Sequence, residues 1–114
     1  MQIKIESHEL DFFDCMEICQ GGPEACSLSI NGELVEGRKF DPSPLAFEDK
    51  ILVPMRKIGF LKSGYVLVQI NPISLVIEPI SKIHDYMRLS RIDGRSVEFA
   101  TTAWGSETAH LAIP

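Results

Sequence analysis

Three cysteines, Cys15, Cys19 and Cys26, lie close in sequence to one another and to His8, a set of side chains that could hold a metal ion or supply a thiolate nucleophile. Their spacings, with three and six intervening residues, differ from the paired C-x-x-C of a zinc knuckle. No metal site is assigned, and the three read as buried or half-buried free thiols. A Cys nucleophile with His8, His84 or His110 as its base requires residues gathered from across the chain, and no local signature marks such a set. Gly21-Gly22-Pro23 fails as a phosphate cradle, because Pro23 removes a donor N–H and no Gly-Lys-Ser or Gly-Lys-Thr follows. It reads as a turn. Carboxylates are numerous, but a general acid and base pair needs a concave site that separates their pKa values. No catalytic residue and no cofactor are assigned, and the chain reads as a binding protein and not an enzyme.

Charge layout carries more. The formal net charge is −5, and its distribution is uneven. From Ile5 to Gly37 there is no lysine or arginine, whereas Glu6, Glu9, Asp11, Asp14, Glu17, Glu24, Glu33 and Glu36 all fall there. A solvated face that keeps the protein soluble is one reading of this stretch. The other is a negative patch that meets a basic partner, speeding encounter and setting specificity through complementary potentials. Phe12 and Phe13 between the acids could anchor such an interface or lie in the core. A net-negative surface argues against DNA or RNA as a direct ligand, since affinity for phosphate backbones comes mainly from lysine and arginine. Arg88, Arg91 and Arg95 do not form a basic strip, because odd-even counting places Arg88 and Arg91 on opposite faces of a strand.

The elements that would position these residues are strands. After residue 25, β-branched and aromatic residues recur in runs of four to eight bounded by turn chemistry. Cys26–Ile30 and Glu33–Glu36 flank Asn31-Gly32, a pair suited to a type I′ hairpin turn. Leu45–Phe47 turns through Glu48-Asp49-Lys50 into Ile51–Met55. Tyr65–Ile70 leads past Asn71-Pro72 to Ser74–Glu78. Tyr86–Ile92 pairs with Ser96–Thr102 across Asp93-Gly94-Arg95. Turn centres recur about every 20 residues, half the length of a four-stranded propeller blade. Gln2–Ser7 alternates as a strand, and Leu10–Cys19 reads as a strand with a short helix as the alternative. Leu111–Ile113 closes the chain, with Trp104 placed in the core. The expected fold is all-β, an antiparallel meander of about nine short strands arranged as a two-sheet sandwich or a half-propeller.

One domain accounts for 114 residues, a length that buries roughly two-thirds of the surface of the unfolded chain. With 45% hydrophobic and 24% charged residues the composition is that of a globular protein. No apolar run approaches the ~20 residues of a spanning helix, so no membrane partner is expected. The alternation in Met1–Glu6 is unlike a secretory leader. With an odd number of cysteines, this favours a reducing cytoplasm.

The segment from Gly21-Gly22-Pro23-Glu24 through Ser27-Leu28-Ser29-Ile30-Asn31-Gly32, followed by Phe40–Phe47 and Asp49–Pro54, resembles small β-rich immunity proteins of contact-dependent growth inhibition and other polymorphic toxin systems. The likeness spans residues 21 to 78, with Phe47 where a tryptophan or other aromatic is usual. It implies an all-β cytosolic protein without a cofactor that neutralises one cognate toxin by covering its active site, and it carries over no binding residue. Joined to the charge layout, it gives a protein partner, a toxin domain with basic nuclease character. Glu9, Asp11, Asp14, Glu17 and Glu24, together with the Glu48-Asp49 turn, are the expected contacts. The alternative is a small-molecule-binding or subunit β module without catalysis, lined by Trp104, Tyr65 and Tyr86.

Overall fold

In the computed structural model, residues 1–17, 24–58, 61, 63–102 and 107–114 are described. Cys19, Gly21-Gly22-Pro23 and Trp104 lie outside them. The described residues form eleven strands and no helix. Each strand pairs antiparallel with its sequence neighbour, as the recurring turns predict. β1 (Gln2–Ile5), β2 (His8–Glu17), β3 (Glu24–Ile30) and β4 (Glu33–Leu34) make the first sheet. β5 (Leu45–Phe47), β6 (Lys50–Ile58), β7 (Ser63–Ile70) and β8 (Ile77–Pro79) make the second. β9 (Arg88–Asp93), β10 (Ser96–Ala100) and β11 (Thr108–Ala112) make the third. Leu10–Cys19 resolves in favour of strand as far as Glu17.

Two cores explain the three sheets. Successive side chains of a strand point to opposite faces, and β6 and β7 are apolar on both. Ile51, Val53 and Met55, with Val66, Val68 and Ile70, pack against Leu10, Phe12, Leu28 and Ile30 of the first sheet. Leu52, Tyr65 and Leu67 turn the other way, onto Leu89, Val97 and Phe99 of the third. The second sheet is therefore the middle layer, and Tyr65–Ile70 reads as a nearly unbroken apolar run because neither of its faces meets water.

Local chemistry fixes the turns and joints. Asn31 and Gly32 both have positive φ, 52° and 83°, as a type I′ turn demands. Between Phe13 and Met16 the β2–β3 register shifts by one residue. Asp14 takes positive φ there, the conformation of the leading residue of a glycine-type bulge. Phe40 forms antiparallel bridges to both Cys26 and Met55, which stitches the first sheet to the middle one. At Gly64 a Cβ would collide with the carbonyl of His84, so glycine is what lets the bridge between Tyr65 and His84 close.

The bulge overturns the reading of the cysteines as free thiols. Cys15 and Cys26 are joined by a disulfide. The extra residue in β2 sets Asp14 and Cys15 against Cys26 alone, so two sulfurs eleven positions apart meet across the hairpin. Spacing in sequence cannot reveal this, since it depends on pairing register. The free-thiol argument for a reducing compartment lapses with it, because disulfides persist mainly in oxidising ones.

Candidate functional site

The sequence-predicted acidic residues do not form one patch. Leu10 and Phe12 turn inward from β2, so Glu9 and Asp11 share its outer face. Lys4 is the cross-strand partner of Glu9, and the N-terminal ammonium lies 3.7 Å from Asp11. Pairing of β1 with β2 thus brings positive charge to a stretch that has none of its own. Asp14 sits in the bulge, Glu17 ends β2 and Glu24 starts β3 opposite it. At about 3.3 Å per residue, Glu17 lies about 26 Å along the strand from Glu9. Glu48 pairs with Arg95 at 2.9 Å and Asp49 with Lys50 at 3.2 Å. The Asp49 carboxyl is held below the usual carboxylate range chiefly by its hydrogen bond from Lys50.

What the fold does bring together is a cleft of about 380 Å³ between the β1–β2 turn, the β5–β6 turn and the loop after β7. Glu6, Glu48 and Asp49 supply its carboxylates, and His8, Lys50, Asn71 and the apolar Ile5, Ile51 and Ile73 are among the other lining residues. Two of the acids sit at strained positions, with φ of 56° at Glu6 and 54° at Glu48. These are left-handed conformations that glycine or asparagine adopts at less cost. Ile73 is 77% exposed, and its loop is locked. The Asn71 carboxamide oxygen accepts from the amides of Ile73 and Ser74 at 2.9 and 3.1 Å, and backbone bonds join Asn71 to Leu75 and Val76. His8 is fixed from the other side by the Asn31 carboxamide at 3.0 Å. Of the expected contact residues, only Glu48 and Asp49 line this cleft. Glu6 and His8 join them where the first sheet packs on the second, and Ile73 through the loop after β7.

A second polar group is buried where the middle and third sheets meet. Asp41 is fully enclosed. It accepts from Ser43 Oγ at 2.7 Å and from Arg88 Nη2 and Nε at 3.3 and 3.4 Å. Ser43 Oγ also accepts the Leu89 amide at 3.0 Å, tying the segment before β5 to β9. Burial raises the pKa of Asp41 and outweighs the two hydrogen bonds and the guanidinium charge that lower it. Tyr65 donates to the Glu24 carbonyl at 3.1 Å, meets Tyr86 edge to face, and is pushed up to about 12, foremost by burial. These groups are occupied with one another and hold the layers together. Tyr65 and Tyr86 line neither the acidic cleft nor the clefts of about 310 and 500 Å³ found elsewhere among the described residues. Arg91 pairs with Glu98 and Arg95 with Glu48, but a register shift between Glu98 and Phe99 breaks the odd-even count, so Arg91 opposite Glu98 and Arg88 opposite Ala100 share one face of the third sheet.

Metal ligation gains no support at the cysteines. Cys15, Cys26 and Glu24 lie close together, but the two sulfurs are bonded to each other and offer no thiolate. In comparison with known proteins, the chain matches no protein-family model, no curated protein and no solved structure.

Proposed function

We propose that the chain is a non-catalytic binding protein that engages the basic surface of a partner protein with the cleft formed by Glu6, Glu48, Asp49 and Ile73. The partner is a toxin domain with nuclease character, which the bound protein neutralises, as the resemblance to immunity proteins implies. The observation that carries the reading is an exposed isoleucine held out by a hydrogen-bonded loop beside three carboxylates. Interfaces draw most of their energy from a few well-placed anchors, and a loop already locked loses little freedom on binding. Rim carboxylates add rate and selectivity towards a basic partner.

The contact is narrower than the acidic stretch from Glu9 to Glu24, since those acids are spread along the β2–β3 hairpin and, of the expected residues, Glu48 and Asp49 line this cleft. The alternative module lined by Tyr65, Tyr86 and Trp104 has less behind it, because Tyr65 and Tyr86 are engaged in internal contacts. The test is to mix the purified protein with the product of the adjacent gene and to measure binding together with nuclease activity. A stoichiometric complex and suppressed activity are expected. No complex and undiminished activity would refute the proposal.

A further inference from the structure

Two Arg-Lys dipeptides, Arg38-Lys39 and Arg56-Lys57, lie far apart in sequence. The antiparallel bridge between Phe40 and Met55 sets them side by side, and the Arg56 amide donates to the Lys39 carbonyl at 2.7 Å. Like charges set opposite one another across a strand pair repel and cost stability. The four cations surround a cleft of about 500 Å³, completed by Gly37, Met55, Ile58 and Pro79, with no carboxylate among the lining residues. Lys39 Nζ donates to Ser27 Oγ at 2.7 Å and Arg38 Nη1 to the Gly37 carbonyl at 3.2 Å, both neutral acceptors. Arg56 lies over the ring of Tyr65, and its buried Nε has no hydrogen-bond acceptor among the described residues.

Elsewhere four cations are paired, whereas Lys4 and Lys82 stand singly with no ion pair among the described residues. Lys50, Arg88, Arg91 and Arg95 each hold a carboxylate. Among the described residues, none of the four around this cleft does. Positive charge left uncompensated on opposed strands around a cleft is what an anion would satisfy. The size suits a small ligand. The apolar wall of Met55, Ile58 and Pro79 leaves room for a non-polar part.

From this geometry we infer that the cleft between residues 37–39 and the end of β6 binds a phosphate group carried on an organic ligand. The site lies at the other end of β6 from the acidic cleft, about 23 Å along the strand from Lys50 to Lys57, and it stands or falls independently of the proposed partner. Ile58 is 80% exposed and Leu61 93%, so the phosphate could belong to a lipid headgroup as well as to a free metabolite.

Two probes separate these sources. Pyrophosphate is titrated into the full-length protein while the backbone amide resonances of Lys39, Arg56 and Lys57 are followed. Vesicles of phosphatidylcholine containing phosphatidic acid are assayed by co-sedimentation against phosphatidylcholine alone. Both measurements are repeated on Arg38→Gln/Lys57→Gln, which alters two exposed side chains and leaves Arg56 on its tyrosine. Saturable shifts at those amides, weakened about tenfold or more in the double variant, support a free phosphorylated ligand. Phosphatidic-acid-dependent sedimentation, lost in the same variant, supports the lipid source. Neither response, or a response that the double variant leaves unchanged, overturns the inference.

Discussion

At Glu6 and at Asp41 the protein retains an acid against its own stability. Glu6 occupies a hairpin turn at positive φ, where a side chain costs about 1–2 kcal/mol relative to glycine. If the acid is kept for binding, Glu6→Gly should raise the stability to urea by up to about 1 kcal/mol while weakening the complex with the partner. An unchanged affinity would show that Glu6 is not used. Asp41 sits in a pocket that favours its protonated form, because burial outweighs Ser43 and Arg88. A folded pKa raised above the unfolded one means that the native state binds the extra proton between the two values. Stability from this group is thus full below the unfolded value and is lost as pH rises through the folded one. Relative to Asp41→Asn, the native protein should lose stability as the pH rises above the ordinary aspartate value of about 4, measured by urea unfolding at several pH values. A difference constant with pH would contradict the assignment.

At the scale of elements, the sequence was most informative where strands alternate or where a turn has its own chemistry. Asn31-Gly32, the Glu48-Asp49 turn and the β9–β10 hairpin stand where their residue types place them, and alternation in Gln2–Ile5 gave β1 directly. Register was not legible, and three consequences followed from it. The bulge at Asp14 pairs Cys15 with Cys26. The Phe40 bridges unite Arg38-Lys39 with Arg56-Lys57. The registers within the first and second sheets fix which turns meet, so packing of one sheet on the other draws Glu6 and His8 to the Glu48-Asp49 turn. Each is a contact between segments whose separation in sequence says nothing about which residue faces which. The disulfide closes a short loop within one hairpin, and loop-closure entropy for a loop of that size corresponds to about 3 kcal/mol. Cys15→Ser should therefore shift the urea midpoint down by the equivalent of about 2–3 kcal/mol, and reducing agent should do the same to the native protein but not to the variant. Equal sensitivity of both to reduction would argue against the Cys15–Cys26 pairing.

For the whole molecule, the governing feature is a middle sheet buried on both faces with clefts of opposite charge character near the two ends of β6. Composition alone reports a net charge of −5 and hides this polarity, since the acids from Glu9 to Glu24 are spread along a hairpin and half answered by nearby cations. The proposed partner contact lies at the acidic end alone. Charge reversal is the direct test of that claim. Glu48 and Asp49 make only exposed ion pairs, whose loss costs about 0–1 kcal/mol, so Glu48→Lys/Asp49→Lys should fold normally. The dissociation constant of the complex with the adjacent gene product is measured for this variant and for Asp14→Lys/Glu17→Lys. The first should weaken binding by about tenfold or more, and the second should leave it as it is. Binding lost only in the second variant, or in neither, would contradict the account.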